Sequence, residues 1–425
     1  MTSRPLAESQ FARQHFKRNF FLGVSNGVFF NFAWAFISTS TVLPLFISRL
    51  TRSQILIGLA STLEALGWFL PQIAIAAVTL HRKSQMPVYI KAAFLRAGSF
   101  LLFAVLVFLL GKEHPSHLLV TFFFLFSLYS FGGGLAGVSF TDIVGKTIPQ
   151  RKRGSFFGAR KLVGGGLAAL GGLLIQRILE LHDFPKNFGI LFLIASALII
   201  LALASVCLVK ETPTTRRPER KSVKENLLLG FRIAKRDRNF RKFLLTRFAI
   251  GCYVMGLPFY VICAKEYLFI PASTAGVFLS VQMAGYLASN LLWAYLSDRG
   301  NNKLVLVFSA FFSAVCPILV ILNMALKIPL SAYGAIFFFL GATISGLDLG
   351  YTNYLLQIAP EEKRPIYVGF LNTVVGPTLF LSALGGLIVQ LFSFALLYFL
   401  LLAVSIFSIL LSFSLSNGDE LKSTD

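Results

Sequence analysis

Charge is scarce in this chain, and acid is scarcer still. Asp, Glu, Lys and Arg together make up 13% of 425 residues, with 18 acidic side chains against 39 basic ones. Soluble domains carry about a quarter of their residues charged, so a water-soluble reading is excluded. The four cysteines, Cys207, Cys252, Cys263 and Cys316, stand inside apolar runs without metal or redox spacing, and no disulfide framework is expected. The five histidines, His15, His81, His114, His117 and His182, fall in the N-terminal tail or in loops. No HExxH, CxxC or carboxylate-histidine cluster lies within an apolar run. Neither a metal site nor a cofactor is therefore expected, and the chain does not read as an enzyme.

What the chain has in quantity is apolar surface: 56% of residues are hydrophobic and 45 are Phe. Disorder is excluded by that content, and the unbroken runs exclude an outer-membrane barrel, whose strands alternate in short segments. Twelve apolar segments can be drawn, at 20–48, 54–80, 88–111, 117–144, 155–178, 187–209, 243–264, 272–296, 304–325, 331–358, 366–390 and 393–415. Each meets the length of about 20 residues that spans a bilayer as helix. The first follows a polar tail, is too long for a signal-peptide core and lacks a small-residue cleavage pattern, so it is expected to stay in the mature protein.

The formal net charge of +21 would point to nucleic acid in a soluble protein. Its placement points elsewhere. With the N-terminus inside, 31 of the 39 Lys and Arg fall on the cytoplasmic side and seven outside, with Arg96 left inside the third helix. The positive-inside rule then sets both termini in the cytoplasm of a multi-pass inner or plasma membrane protein, with no role for nucleic acid. The domain reading is a tail at 1–19, a six-helix bundle at 20–209, a basic cytoplasmic linker at 210–242, a second six-helix bundle at 243–415 and a tail at 416–425. In the linker, Asn226-Leu-Leu-Leu-Gly-Phe-Arg-Ile-Ala-Lys-Arg sets an apolar stripe beside basic residues, as a helix lying on anionic lipid would.

An internal repeat organises the whole. A shift of 211 residues lays Ile148-Pro-Gln-Arg-Lys-Arg-Gly-Ser-Phe-Phe-Gly on Ala359-Pro-Glu-Glu-Lys-Arg-Pro-Ile-Tyr-Val-Gly, and Pro149/Pro360, Lys152/Lys363, Arg153/Arg364, Gly158/Gly369, Val163/Val374 and Gly165/Gly376 coincide. Three residues of insertion later, Gly171-Gly-Leu-Leu-Ile-Gln meets Gly385-Gly-Leu-Ile-Val-Gln. Six helices per half is an even number, so both halves enter the membrane in the same direction and the repeat is parallel.

Two parallel six-helix halves, a long basic central loop and matching basic loops after the second and fourth helices of each half resemble the major facilitator superfamily. The resemblance covers almost the whole chain. Ala294-Tyr-Leu-Ser-Asp-Arg-Gly-Asn-Asn-Lys303 is similar to that family's signature loop, with Asp298, Arg299 and Lys303 in place and Gly300 one residue early. The N-terminal counterpart keeps Arg82 and Lys83 but lacks the acid. The resemblance implies an all-α membrane protein of twelve transmembrane helices, two parallel-repeat six-helix bundles in the major facilitator fold. It also implies a secondary active transporter that rocks two halves around a central site, and gives Asp298 and Arg299 a gating role.

Carboxylates at bilayer depth cost about 2.5–3.5 kcal/mol on insertion scales and mark function by default. Glu64 and Asp348 both stand near mid-span and are the expected proton-coupling residues. Asp142 and Arg160 flank the fourth cytoplasmic loop, a turn or two inside their helices, and are expected to pair across that hairpin. Asn31, Trp34, Tyr129, Tyr253, Gln282, Asn290 and Tyr351 are polar or amphipathic groups at mid-depth; the resemblance sets the first, fourth, seventh and tenth helices around the cavity, which favours Asn31, Trp34, Tyr129, Tyr253 and Tyr351. Gly132–Gly134 and Gly164–Gly166 lie within spans without a Walker lysine and read as close helix packing. The expected function is proton-coupled transport of a small organic solute by a monomer in contact with membrane lipids, with sodium as the alternative ion. Efflux of drug-like compounds or lipids is the rival within transport, and a non-transporting sensor or scaffold is the rival outside it.

Overall fold

The computed structural model describes residues 6–79, 84–212, 223–326 and 329–416, and every regular element among them is helical. The basic N-half loop at Arg82 and Lys83 lies outside the described residues, as do the middle of the linker and the end of the C-terminal tail. The first part of the chain forms α1 (Leu6–Phe36), α2 (Val42–Leu50), α3 (Gln54–Thr79), α4 (Met86–Leu110), α5 (Pro115–Thr147), α6 (Gln150–Leu181) and α7 (Lys186–Cys207). A linker helix, α8 (Val223–Arg236), follows. The remainder forms α9 (Arg238–Gly251), α10 (Phe259–Tyr267), α11 (Thr274–Asp298), α12 (Asn302–Leu326), α13 (Leu330–Ile358), α14 (Arg364–Val375), α15 (Leu381–Leu391) and α16 (Phe394–Phe413).

Eleven helical stretches among the described residues are long and apolar enough to cross a bilayer. The twelfth expected span, 20–48, is delivered by α1 and α2 in tandem, because the hydroxyl run Ser38-Thr39-Ser40-Thr41 falls between the two helices. Two spans of the second half are also interrupted. Arg238–Tyr267 breaks at a 3-10 turn over Cys252–Met255 before Gly256-Leu257-Pro258, and Ile366–Leu391 passes through a 3-10 turn over Gly376–Phe380. Pro377 explains the second break, since it has no N–H to give an α-helical bond. In the repeat, α6 carries Gly166 at the place of Pro377 and runs unbroken.

The chain divides into two compact units. The first comprises Met1–Ser38, Phe46–Arg52 and Ala60–Glu219; the second comprises Thr39–Leu45, Ser53–Leu59 and Arg220–Asp425. The first is filled with aromatic rings, which is where many of the Phe residues are spent. Phe46 meets Phe103, Phe122, Phe188 and Phe192 at ring-centroid distances of 5.0–6.0 Å, and Phe122, Phe126 and Tyr129 form a stack along α5. Between helices in lipid there is little hydrophobic drive, so such dispersion contacts and close backbone approach hold the bundle. Glycine supplies the approach: a Cβ on Gly134 would stand 2.6 Å from the carbonyl oxygens of Gly67 and Trp68 on α3.

In the second unit the same device joins α11 and α13, where Gly285 meets the backbone of Phe338 and Gly341 meets that of Gln282. The short segments that group with this unit are tied to it by side chains: Ser40 donates to Gln282 Oε1 at 2.8 Å, Ser53 to Gln390 Oε1 at 2.9 Å, and Gln54 to Glu266 at 3.0 Å. The linker helix α8 starts the α9 bundle through Asp237, which caps α9 by accepting from Phe240 N at 2.8 Å and takes a second bond from the Tyr367 hydroxyl. Gly230 of α8 seats Phe370 of α14, while Leu228, Leu229 and Phe231 remain exposed.

Candidate functional site

Two polar constellations stand deep within spanning helices, one in each unit. In the second unit, Arg247 of α9, Asp348, Tyr351 and Thr352 of α13, and Val368, Leu371 and Asn372 of α14 line a cavity of about 260 Å³. Arg247 stands nine residues inside α9 and Asp348 ten residues before the end of α13, distances of about 13–15 Å along the helices. The Arg247 guanidinium lies over the Tyr351 ring, 4.8 Å from its centroid. Asp348 accepts a hydrogen bond from the Tyr286 hydroxyl at 2.9 Å. Tyr351 is 3% exposed, and its hydroxyl has no hydrogen-bond partner. Of the residues singled out in the sequence, Asp348 and Tyr351 thus share one cavity, and Tyr253 packs against the same aromatic cluster.

In the first unit the centre is Arg96 of α4, 6% exposed in the middle of a spanning helix. Its guanidinium is held between two rings, 4.4 Å from the Phe30 centroid and 4.5 Å from that of Tyr129, and Nη2 donates to the Tyr129 hydroxyl at 3.1 Å. Cation–π contact is a fitting way to hold a desolvated guanidinium. Glycine makes the room, since a Cβ on Gly133 would lie 3.1 Å from Arg96 Cζ. The Glu64 carboxylate is within electrostatic reach of Tyr129, as is Arg96. Trp34, one turn along α1 from Phe30, is 48% exposed beside this group. Arg96 thus joins α4 to Phe30 and Tyr129, with Trp34 beside Phe30 and Glu64 within electrostatic reach of Tyr129.

Three other singled-out residues are engaged in helix packing. Asn31 donates to Gly27 O on its own helix and to Arg160 O on α6. Gln282 is buried and accepts from Ser40, and Asn290 donates to Ser345 Oγ at 3.1 Å.

The expected ion pair between Asp142 and Arg160 does not form. Asp142 pairs with Lys146, one turn on along its own helix, and Arg160 Nη1 donates to the Gly23 carbonyl of α1 with its guanidinium over Phe140, 4.6 Å from the ring centroid. The reason is the crossing of α1 on α6. Gly23 and Gly27 admit the α6 side chains Phe156 and Arg160, so the guanidinium is drawn to α1. Lys146 has a second acid instead, Glu211 at 2.9 Å. Glu211 also caps α4, accepting from Ser84 Oγ at 2.6 Å, from Gln85 N at 3.0 Å and from Met86 N at 2.9 Å. Burial pushes the Glu211 pKa up, but the bonds from Ser84, Lys146 and the two backbone N–H groups outweigh it and hold the carboxyl below its ordinary value. In the signature-like loop, Arg299 stacks on Tyr295 at 4.2 Å and Gly300 takes a positive φ of 77°, which suits glycine. Neutral side chains brace this loop: Ser297 donates to Asn302, Asn353 donates to Ser297, and Asn302 donates to Gln357.

Residues 258–424 match the family model of the Major Facilitator Superfamily. The chain is therefore similar to that family over its second half. Its fold agrees with solved structures of that architecture: a D-xylose-proton symporter (TM-score 0.73, 14% identity, 96% of this chain and 99% of that one covered), the nucleoside transporter NupG (0.65, 13%, 93% and 98%), and a POT family transporter in complex with 5-aminolevulinic acid (0.65, 13%, 92% and 94%). Uncharacterized proteins of Mycobacterium bovis and Mycobacterium tuberculosis are 23% identical over 264 residues, 60% of this chain and 50% of theirs. The chain thus spans about half the length of the curated relatives it matches.

Three residues that the structure makes prominent carry little mark in the sequence. Arg96 was counted but given no role, although a lone Arg in an apolar run is itself a functional signal. Arg247 was counted among the linker charges, because Arg238, Arg241 and Lys242 just before it disguise where the span begins. Glu211 had no local signal at all, since its partners lie 65 and 125 to 127 residues away.

Proposed function

We propose that this chain is a major facilitator transporter, a proton-coupled secondary active carrier of a small organic solute that works by alternating access. The observation that carries the reading is the Arg247–Asp348 cavity: charged and hydroxylic groups at mid-helix depth stand around a space of about 260 Å³. Drug-sized ligands occupy sites of about 300–1,000 Å³ lined mostly by apolar groups, so both size and polarity favour a small polar solute over drug-like cargo or lipid. Transport of such solutes is also what the structural neighbours are named for. The two deep cations, Arg96 and Arg247, favour transport over a sensor or scaffold role, because intramembrane charge is costly where nothing uses it.

Glu64 leads as the proton carrier, for it stands at mid-span within electrostatic reach of Tyr129, the hydroxyl that Arg96 binds. Reconstituted protein should accumulate solute under an inward proton gradient and lose that accumulation with a protonophore. Uptake indifferent to the gradient would favour sodium coupling or facilitated diffusion, and no uptake of any solute would favour the scaffold reading.

Orientation follows from charge placement. Moving Arg247 from the linker into a span leaves 30 inner charges against seven outer ones, and both termini stay cytoplasmic in this reading. In intact cells an impermeant thiol reagent should label a cysteine at Glu113 and spare one at Arg236. The opposite pattern would reverse the orientation.

A further inference from the structure

We infer that the linker helix α8 is a binding surface for anionic phospholipid, an amphipathic arm that the second unit holds at the bilayer boundary; this goes beyond the transport reading above and does not rest on it. Depth is the first observation. Gly230 of α8 is buried against the Phe370 ring of α14, where a Cβ would stand 2.6 Å from the ring, and Ile233 and Ala234 pack on the cluster that holds Phe240, Phe243 and Tyr367. The spanning stretches Arg238–Tyr267 and Ile366–Leu391 begin at these contacts. Phe240 stands two residues beyond Arg238 and Phe370 four beyond Ile366, rises of about 3–6 Å along the helices. An interfacial helix seats its apolar face about 5–10 Å into the boundary between headgroups and acyl chains, so α8 is held at the depth where such a helix lies.

Side-chain chemistry names the occupant. Leu228, Leu229 and Phe231 are 62%, 39% and 65% exposed, beside the exposed Arg232, Lys235 and Arg236. Arg238 and Arg241 extend the basic row into α9, while Asp237 is engaged as the α9 cap and as the acceptor for Tyr367. Glu361 and Glu362 before α14 are matched by Lys363 and Arg364, so the local excess stays positive. Water solvates the cations but not a patch of three large apolar side chains. Nucleic acid would meet the cations and offer nothing to that patch, and a second copy of α8 would set like charges against each other. A phospholipid with an anionic headgroup meets both needs. Its acyl chains receive Leu228, Leu229 and Phe231, and its phosphate receives guanidinium and ammonium groups that snorkel on their own methylene stems. The helix thereby ties the leaflet to α9 and α14, whose residues Arg247, Val368 and Leu371 line the cavity of the second unit.

The test uses the full-length chain in nanodiscs of phosphatidylcholine, alone or mixed with phosphatidylglycerol. Leu228→Cys takes an environment-sensitive nitrobenzoxadiazole label, with Cys207→Ser alongside so that the remaining native thiols, Cys252, Cys263 and Cys316, are all buried. With phosphatidylglycerol the label's emission should shift to the blue, lose its quenching by aqueous iodide and gain quenching by lipids that carry a nitroxide high on the acyl chain. Added salt should reverse part of the change, because exposed charge is screened. Arg232→Gln, Lys235→Gln and Arg236→Gln together should erase the difference between the two lipids. The comparison of lipids in the chain that keeps its basic residues stands even if this triple variant fails to fold. A label open to iodide in both lipids overturns the inference, as does one shielded equally with and without phosphatidylglycerol. Shielding that appears only when a soluble cell extract is added overturns it too, and gives the face to an acidic protein.

Discussion

Glu64→Gln in the reconstituted protein is expected to abolish gradient-driven accumulation while leaving solute binding and counterflow exchange measurable. Glutamine keeps the shape and hydrogen bonding of the side chain but cannot carry a proton. One pH unit supplies about 1.4 kcal/mol per proton, so a one-proton symporter loses roughly a tenfold accumulation ratio for each unit of gradient when that proton is lost. The neighbourhood sharpens the expectation. Arg96 is held by Phe30, Tyr129 and the space over Gly133, so it stays in place when the carboxylate is neutralised. Binding at the Arg247–Asp348 cavity lies in the other unit and is expected to be unchanged. Full pH-driven accumulation in Glu64→Gln would eliminate this carboxylate as the coupling group; loss of solute binding along with uptake would make it a binding residue.

Lys146→Met is expected to destabilise the first unit by about 3 kcal/mol, the lower end of the range for removing one partner of a buried ion pair. The lysine lies between two acids, and without it Asp142 and the largely buried Glu211 are left with no cation between them. Adding Glu211→Gln should recover part of the loss, because a neutral amide oxygen still accepts from Ser84 and from the α4 backbone while needing no counter-charge. The difference from additivity measures the coupling. The pH dependence has a definite sign. A carboxyl whose folded pKa lies below its unfolded value stabilises fully above the unfolded value, and that contribution fades as pH falls through the folded one. Thermal unfolding of the unaltered protein should therefore weaken in acid more steeply than that of Glu211→Gln. Parallel pH profiles, or strictly additive losses, would refute the clasp. Charge reversal at Asp142 and Arg160 should show no mutual rescue, since those side chains serve different partners.

The twelve-span expectation, the parallel repeat and the family resemblance were legible because each is written in quantities local to the chain: run length, the placement of Lys and Arg, and motifs of about ten residues. Bilayer thickness converts run length into helix number. Glycine runs read as packing and proved to be packing, at Gly134 against α3 and at Gly164 against Asn31. Depth along a helix was legible too, which is how Glu64, Asp348 and Tyr351 could be singled out by counting residues.

Direction around the helix axis was not legible. A mid-span polar residue on a helix apolar on all sides carries no amphipathic mark to say whether it faces a cavity or a neighbour. Hence Tyr351 meets Arg247, whereas Asn31 is spent on Gly27 and Arg160. Hairpin proximity alone predicted the Asp142–Arg160 pair; the crossing of α1 over α6 at Gly23 and Gly27 sent the guanidinium elsewhere. Glu211 took the place beside Lys146 from a linker that sequence alone left unconnected. The sequence by itself determined that this chain spans a membrane, how many times, and in two like halves, because hydrophobic length and loop charge act residue by residue. Which charges meet was decided only by tertiary structure, because in a dry interior an ion's partner is whatever helix packing brings within about 3 Å of it.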